Sequence, residues 1–336
     1  MADGPVTIAD VAAAAGVSVA TVSKVINDRY GVAEQTSARV REVIEQLGYT
    51  SSLVAQSLRS RRSNVIGVIA SDIEPFNAEL LKGAARGLRG TGYDLIVFSD
   101  CGRYEDQAGW ERRSLARVSA LTDGSVLVTP SSVDVTSSRP LVAVDHNVRS
   151  TTLPTVDSDN LSGGVTATEY LIGLGHRRIG FLAGRRDLES SRLRQQGYRR
   201  ALETAGIPFD DDLVRVGGYR AASAHTAARE LLDRDDRPTA IFAANDTSGI
   251  ETIAAARELG LSVPEDLSVV GFDNVPESAL SEPPLTTVDQ SVERMGFEAV
   301  RMVLSLIDDP ARDVQQVTLP TRLVERGSCR RLTEHA

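Results

Sequence analysis

The chain has 336 residues, which is too long for a single ordinary hydrophobic core and predicts two or three domains. Its composition, 41% hydrophobic and 25% charged, is that of a globular protein and argues against a disordered or fibrous chain. Residues 1–64 contain seven Lys and Arg against six Asp and Glu, a net charge of +1, so the rest of the chain carries -10 of the total of -9. A near-neutral N-terminal part leaves nucleic-acid binding open, since what matters is whether its cations share one face.

Membrane, secreted and metal-binding classes are disfavoured by the sequence. No stretch reaches the roughly 18 to 20 apolar residues that cross a bilayer, and residues 1–11 lack the basic and apolar run of a secretory signal. We therefore expect a cytoplasmic protein with no membrane contact. Cys101 and Cys329 are far apart and lie in no metal-binding spacing, so we expect no disulfide framework, no metal site and no cofactor.

The N-terminal residues carry the start and stop signals of two short helices. Thr7 and Asp10 form a capping box that starts a helix, and Gly16 can take the left-handed conformation that ends it. Ser18 then caps a second helix over about residues 19–26, whose apolar residues recur with the helical period. Two helices joined by a short turn that contains glycine predict a helix-turn-helix, whose second helix lies in the DNA major groove.

A third helix is expected over about residues 34–47, ending at Gly48. Its cap position holds Ala33 rather than a serine, so its start should be weaker by about 1 kcal/mol. Beyond it, residues 53–60 are too few to hold a helix in water by themselves.

The N-terminal motif closely resembles that of the lactose/galactose repressor family. The matching residues are TIADVA at 7–12, AGVS at 15–18 and TVSKVIN at 21–27. Further matches are GHRRIGF at 175–181, AND at 244–246 and VGFDN at 270–274. The resemblance covers nearly the whole chain. It implies an all-α helix-turn-helix DNA-binding head and an α/β core of two lobes, of the type I periplasmic-binding-protein kind.

By that resemblance, the recognition helix presents Val19, Ala20 and Lys24 to base edges. Only Lys24 can donate to a base, while the other two side chains can touch a thymine methyl or shape the groove. We therefore expect more reliance on DNA shape than in relatives with polar residues there. The resemblance also places on DNA the residues Ser18, Thr21 and Ser23 at phosphates, Asn27, and Leu58 in a hinge helix whose leucine wedges into the minor groove. The alternative is an amphipathic linker whose leucine packs on the core.

From residue 64 onward, apolar runs alternate with amphipathic helical patterns. This order predicts parallel sheets with crossover helices, the α/β arrangement. The predicted strands are 65–70, 94–99, 125–129, 141–144, 178–183, 213–216, 240–243 and 267–272. The predicted helices are 78–89, 163–174, 192–205, 221–233, 247–259 and 292–307. This many strands fit two lobes better than one sheet.

The expected domain boundaries follow from these elements and from the resemblance. The head occupies residues 1–50, and the hinge helix with its linker occupies residues 51–63. The core spans residues 64–331, with a first lobe at about 64–158 and 291–318 and a second lobe at about 159–290 and 319–331.

Ligands of open α/β sheets bind beyond the carboxyl ends of the strands, so a two-lobed core predicts a cleft between the lobes. A sugar needs carboxylates, an arginine, an amide and aromatic rings, which pair with hydroxyls and cover the apolar face of the ring. The candidates are Asp72, Phe76, Asp145, His146, Ser190, Arg194, Tyr219, Asn245 and Asp273. The resemblance implies recurrent ligand contacts at Arg194 and Asp273 above all, followed by Asn245.

These observations predict a DNA-binding transcription regulator, most simply a repressor, that binds a pseudo-palindromic operator as a homodimer and responds to a sugar. A purine or nucleoside effector and an activator role stay open, because arginine and aspartate serve bases as well as sugars. An enzyme is disfavoured, since the sequence has no nucleophile elbow, phosphate-binding loop or clustered metal motif. A solute-binding protein without DNA function would share the core but would not need the head. No leucine heptad follows the core, so a dimer is expected rather than a tetramer.

Overall fold

The computed structural model describes residues 6–26, 29–49, 62–99, 107–130, 137–146, 153–313 and 315–332. The chain divides into two compact units, residues 1–63 and residues 64–336. Within the described ranges, no single helix is long and apolar enough to cross a membrane, and the first two helices meet the length and composition required only as a pair bent by 104°.

The N-terminal unit is a small three-helix bundle. Its helices are α1 (Ile8–Ala15), α2 (Val19–Ile26) and α3 (Glu34–Leu47). The buried core consists of small apolar side chains, at Val11, Ala12, Ala15, Val22, Val25 and Val40. Helices this short are marginal in isolation, so their mutual packing through this core is what stabilises them.

The helix starts in this unit follow the local signals in the sequence. Asp10 Oδ2 accepts a hydrogen bond from the Thr7 amide at 2.8 Å, which confirms the capping box of α1. The Ser18 hydroxyl accepts from the Thr21 amide at 3.1 Å and caps α2. Ala33 precedes α3 without any side-chain cap, as its methyl group requires.

The second unit contains two six-stranded sheets. The strands of the first sheet are β1 (Val65–Ala70), β2 (Asp94–Ser99), β3 (Gly124–Val128), β4 (Leu141–Val144), β5 (Thr155–Ser158) and β11 (Gln316–Leu319). They are all parallel, in the order β11, β5, β4, β3, β1, β2. The strands of the second sheet are β6 (Ile179–Ala183), β7 (Val214–Val216), β8 (Ala240–Ala243), β9 (Ser268–Asp273), β10 (Thr286–Asp289) and β12 (Arg322–Val324). Their order is β12, β10, β9, β8, β6, β7, and only β12 runs antiparallel to its neighbour.

Helices pack against both sheets and bury the strands. The first sheet is covered by α4 (Pro75–Gly87), α5 (Gln107–Val118) and α11 (Val292–Asp308), and the second by α6 (Asn160–Gly173), α7 (Glu189–Thr204), α8 (Ala221–Leu232) and α9 (Asp246–Glu258). A short helix, α10 (Pro276–Leu280), follows β9. Strands such as β1 are buried at every position, which explains their unalternating apolar sequence.

The chain passes between the two sheets three times: after β5, after β10, and between β11 and β12. Hydrogen bonds join these three crossovers to one another. The Asp159 amide of the first crossover donates to the Leu319 carbonyl of the third at 2.9 Å. The Arg322 guanidinium of the third donates to Asp289 of the second at 3.0 and 3.1 Å. The hydroxyl of Ser158 donates to Gln290 Oε1 at 2.7 Å and joins the first crossover to the second.

The observed elements differ from the predicted ones where polar residues enter a buried segment. Every predicted strand is present with its ends shifted by one residue at most, but β5, β10, β11 and β12 lie where no strand is expected. Thr286 of β10 is fully buried because its amide donates to the Ser328 hydroxyl at 2.8 Å. Helices α4, α6 and α7 each begin three residues earlier than predicted: the added residues of α6 and α7 are mostly polar, and those of α4 begin with Pro75, which is favoured in the first turn of a helix. In α6, for example, Asp159 accepts from the Ser162 amide at 3.0 Å.

Candidate DNA-binding face and ligand cavity

Helix α2 presents a small exposed face at its N-terminal end. Val19 is 41% exposed, and Ala20 and Lys24 are also exposed, while the valines of the opposite side are buried in the head. Exposed Ser18 and half-buried Thr21 share a hydrogen bond of 2.9 Å between their hydroxyls at the start of the helix. This face therefore offers one cation, two short apolar side chains and hydroxyl groups, a set that can contact base edges and phosphates.

Three further residues that are predicted to contact DNA are not part of this exposed face. Ser23 is half-buried on the flank of α2, whereas Asn27 and Leu58 lie outside the described residues. The side chain of Tyr30, in the turn after α2, is fully exposed.

Eight of the nine predicted ligand residues line one cavity between the two sheets of the second unit. They are Asp72, Phe76 and Asp145 on the side of the first sheet and Ser190, Arg194, Tyr219, Asn245 and Asp273 on the side of the second. Most follow the carboxyl ends of parallel strands, as expected for an α/β sheet. The cavity holds about 100 Å³. Because typical ligand sites hold roughly 300 to 1,000 Å³, a ligand would need the walls to move apart.

His146 is the exception among the nine residues. Its Nδ1 atom lies 2.8 Å from both carboxylate oxygens of Asp157, and its side chain does not line the cavity. The pairing arises because His146 lies two residues after the end of β4 and Asp157 lies in the neighbouring strand β5. We therefore assign His146 to the wall behind the cavity.

Four lining residues other than glycine have a positive φ. The φ angles are 48° at Thr129, 52° at Asp145, 67° at Tyr219 and 115° at Asp273. Such conformations cost free energy for residues with a side chain, and they cluster at functional sites where the surroundings hold them in place. Their concentration around one cavity is thus evidence for a binding role that is independent of side-chain chemistry.

Arg194 lies at the centre of the cavity wall and is only 3% exposed. Its Nε donates to Asn160 Oδ1 at 2.8 Å, its Nη2 to Gln290 Oε1 at 3.3 Å, and its Nη1 to the Ala244 carbonyl. Its contact with Asp273 is longer, at 3.4 Å between Nη1 and Oδ1. Most of its donors thus serve the protein, so Arg194 organises the wall as much as it faces a ligand.

Aromatic rings hold the guanidinium of Arg194 in place. The ring centroid of Phe272 lies 3.8 Å from its central carbon, and that of Tyr219 lies 5.8 Å away. Two glycines leave the space that these rings occupy: a Cβ on Gly163 would come within 2.7 Å of the Phe272 ring, and one on Gly184 within 2.0 Å of the Tyr219 ring. The glycines near the cavity are therefore packing requirements.

Burial raises the pKa of several carboxyl groups at this site. It raises the pKa of Asp145, although Arg194 and the Ser190 hydroxyl, which donates at 3.1 Å, act in the opposite direction. It raises the pKa of Asp273 to about 7, against the attraction of Arg194. The pKa of Asp246 is raised well above its usual value by burial and by the nearby Asp273 charge. Shifts of this kind are typical of functional sites.

Gln290 is a central residue that sequence reasoning missed. It is completely buried, its Oε1 accepts from Ser158 and Arg194, and its Nε2 donates to Asp273. One side chain thus touches two crossovers and two residues of the cavity wall. Its sequence neighbourhood, a polar stretch after β10, carries no signal of this role.

In the described part of the chain, no group of three or more His, Cys, Asp or Glu side chains could hold a metal ion. The His176 ring is buried and lies 3.0 Å from the hydroxyls of Thr239 and Ser268, which is a structural arrangement.

A helix-turn-helix head and an α/β core with a polar interior cavity define the chain as a DNA-binding transcription regulator. It is 35% identical to the HTH-type transcriptional repressor PurR of Photorhabdus laumondii over 332 residues and 36% identical to that of Edwardsiella ictaluri over 333 residues, with 96% of both chains covered in each comparison. Residues 7–52 match the family "Bacterial regulatory proteins, lacI family" and residues 168–329 match the "Periplasmic binding protein-like domain". The chain belongs to the LacI family and is a DNA-binding transcriptional repressor.

Solved structures of other family members share this fold. The Lac repressor dimer bound to operator and the anti-inducer ONPF has a TM-score of 0.82 at 27% identity, covering 97% of this chain and all of that one. The complex of the transcriptional regulator CelR with cellobiose has a TM-score of 0.71 at 32% identity, covering 96% of this chain and 99% of that one. These comparisons establish the architecture over nearly the whole chain.

Proposed function

We propose that this repressor binds a pseudo-palindromic operator as a homodimer and that a small molecule in the cavity, a sugar, controls its affinity for that operator. The observation that carries the proposal is the cavity itself, where carboxylates, an arginine, an amide and two aromatic rings converge from both sheets. This is the set of groups that pairs with sugar hydroxyls and packs against a sugar ring. The cellobiose complex of CelR supports the same ligand class.

A purine effector is the second candidate. It is favoured by the relatives named PurR, which align with 96% of this chain. Arginine, asparagine and aspartate can also pair with a purine, and an aromatic ring can stack on it. The two candidates differ in shape and in donor count, so direct binding measurements separate them.

The DNA-binding roles belong to the same proposal. Lys24 would read one base, Val19 and Ala20 would shape the contact, and Ser18, Thr21 and Ser23 would hold phosphates. Asn27 and Leu58 complete the proposed set, with Leu58 as the minor-groove wedge of a hinge helix within residues 51–63. A repressor with this interface would act on the chromosome, so the proposal includes a cytoplasmic location.

The proposed mechanism is a two-state coupling. Ligand binding in the cavity changes the angle between a first lobe, at about residues 64–158 and 291–318, and a second lobe, at about 159–290 and 319–331. This change makes the folding of the hinge segments on DNA either more favourable or less favourable. Linkage requires that ligand and operator change each other's affinity by the same factor.

The test combines DNA selection with ligand screening at fixed, near-physiological salt. Selection from a random duplex pool should return a palindrome with a flexible pyrimidine-purine step at its centre. Operator release or capture is then measured by anisotropy with cellobiose, ribose, lactose, adenine, guanine and hypoxanthine. A sugar that shifts operator affinity supports the main proposal, a purine supports the second candidate, and equal ligand affinity with and without operator contradicts the coupling.

A further inference from the structure

A second cavity lies in the core beside the edge of the second sheet, next to β6, β7 and the start of α7. It holds about 380 Å³ and shares no described lining residue with the cavity between the sheets. Neighbouring residues of the chain face different cavities: Ser190 lines the cavity between the sheets, and Ser191 lines the second cavity. The second cavity therefore has its own set of side chains, which the candidate ligand residues do not include.

The polar side chains of the second cavity have hydrogen-bond donors that the protein does not use. Arg186 is exposed and forms no ion pair with the other described residues, and the half-buried Gln195 side chain forms no hydrogen bond with them. Arg192 donates from Nη2 to Glu189 at 2.9 Å, and its side chain is 51% exposed. Because a guanidinium carries five N–H groups, Arg192 can bind a further acceptor. A lining with this many donors fits an anion.

Ser191 gives independent evidence that a ligand binds in this cavity. It is only 4% exposed, it lines the cavity, and its hydroxyl forms no hydrogen bond with the other described residues. Burial raises the pKa of the neighbouring Tyr219, and the Ser191 hydroxyl acts in the opposite direction, but the buried Tyr219 hydroxyl has no partner at hydrogen-bonding geometry. A buried hydroxyl without a partner costs free energy, and an acceptor atom in the cavity would remove that cost.

The start of α7 adds positive potential at the same place. Ser191 and Arg192 lie in the first turn of this 16-residue helix, which begins after Leu188 without a side-chain cap. The amide groups at the N-terminus of a helix carry a partial positive charge and favour a bound anion. The helix thus supports the cations of the lining.

The acidic residues near the second cavity are already paired with arginines. Glu189 binds Arg192 on one side, so an anion can reach the remaining N–H groups of Arg192 without displacing it. Asp211 lies at the rim, is 88% exposed and lies 3.7 Å from Arg199. Water and salt screen an exposed carboxylate of this kind, so it opposes an anion only weakly. Arg186 is left as a cation without a partner among the described residues.

We propose that the second cavity binds a phosphate group, either the free ion or a small phosphate ester, through Arg186, Arg192, Ser191 and Gln195. The two guanidinium groups neutralise the charge, and the hydroxyl and the amide donate to the remaining oxygens. The cavity lies within the range of roughly 300 to 1,000 Å³ that ligand sites occupy, so it has room for the organic part of an ester beside Val214. This site is separate from the cavity of the proposed function and does not depend on which effector binds there.

The first experiment measures the binding of inorganic phosphate to the full chain by calorimetry, without operator, at constant pH and at an ionic strength kept constant with chloride. We expect Arg186→Gln and Ser191→Ala each to weaken binding by about tenfold, because each removes a hydrogen bond to a charged group. Ser191→Ala keeps the net charge, so its effect separates a built site from general attraction to a positive surface. Arg200→Gln is the matched control, since this exposed arginine lies on the same helix but outside the cavity, and it should bind as the wild type does. No binding by the wild type, or unchanged binding by both cavity variants, would overturn the inference.

The second experiment fixes the place and the source of the phosphate group. Arg220→Gln removes an exposed arginine of the cavity between the sheets and should leave phosphate binding unchanged. Weaker binding by Arg220→Gln together with unchanged binding by Ser191→Ala would place the anion between the sheets and contradict the proposed site.

Ribose 5-phosphate and ribose are then compared with phosphate by the same method. Tighter binding of the ester than of phosphate, lost in Ser191→Ala, identifies a phosphate ester, whereas tighter binding of phosphate identifies the free ion. A failure of the proposed sugar response is seen separately, as operator affinity that no sugar changes.

Discussion

The head and the core place their binding residues in opposite ways. In the head, the candidate DNA contacts described here lie within residues 18–24 on or beside one helix, and most are exposed. In the core, the candidate ligand contacts extend from Asp72 to Asp273, lie on both sheets, and share buried hydrogen bonds. A head residue can thus change its DNA contact without disturbing the fold, whereas a cavity residue is also part of what stabilises the core. Substitutions in the two regions should therefore differ in their cost to stability.

The largest effect is expected for Arg194→Met. The change leaves Asn160, Gln290 and Asp273 without their buried cationic donor, and losing one partner of a buried ionic network costs about 3 to 5 kcal/mol. Urea unfolding of the full chain measures this cost, and ligand binding should be lost as well. Arg294→Met is the matched control, since its exposed side chain pairs with Glu298 at the surface and contributes about 0 to 1 kcal/mol. Equal stability of the two variants would contradict the central role of Arg194.

A smaller loss is expected for Gly184→Ala. The added methyl group would lie within 2.0 Å of the Tyr219 ring, so the ring must leave its position beside Arg194, at a cost of about 1 to 3 kcal/mol. Gly173→Ala is the control, because a Cβ at this helical position meets nothing within 4 Å and should be neutral or slightly stabilising. The unfolding midpoints of both variants measure the loss of stability, and Tyr fluorescence serves as a probe of the ring. Unchanged stability in Gly184→Ala would mean that Tyr219 can move freely.

Substitutions at the helix caps of the head should have the third-largest effect on stability. Thr7→Ala removes the capping box of α1 and should destabilise the head by about 1 kcal/mol. Ala33→Ser should act in the opposite direction, because it supplies the missing cap of α3. Circular dichroism during thermal unfolding measures both changes. A loss of stability in Ala33→Ser would show that the serine cannot reach the free amides.

The smallest effect on stability is expected for Lys24→Ala. Its side chain is exposed, so the free energy of unfolding should change by less than about 0.5 kcal/mol. The selected operator should nevertheless lose its preference at one base pair of each half-site, since a good base contact contributes about 1 to 3 kcal/mol of discrimination. Lys24→Arg keeps a donor there and serves as the control. An identical selected motif for the alanine variant would remove Lys24 from base recognition.

The head depends on local contacts and the core on contacts between distant residues, and this difference explains which elements can be predicted from the sequence. The head is predictable because its signals are local: Thr7 with Asp10 and Ser18 with Thr21 determine their helix starts within a few residues. The strands of the core with continuous apolar runs are predictable for the same reason. Strand β10 is not, because the burial of Thr286 depends on Ser328, which is distant in the chain.

The cavity is only partly predictable. Strand-end residues such as Asp72 and Asn245 follow a rule of α/β sheets, and the structure brings them together. His146 follows the same rule but binds Asp157 instead, because its neighbouring strand supplies a closer acceptor. Gln290 could not be found at all, since its importance comes from three elements that meet only in the folded chain.

The three crossovers also affect how the protein is made on the ribosome. Each sheet ends with a strand from the C-terminal part of the chain, β11 at residues 316–319 and β12 at residues 322–324, and the first sheet also needs α11 at residues 292–308. Neither sheet can therefore be completed during most of translation, and β5 and β10, which are internal strands of the finished sheets, lie unpaired at an edge until the last segment emerges. Truncation of this segment should leave two incomplete sheets, which makes the nascent core a natural client for chaperones.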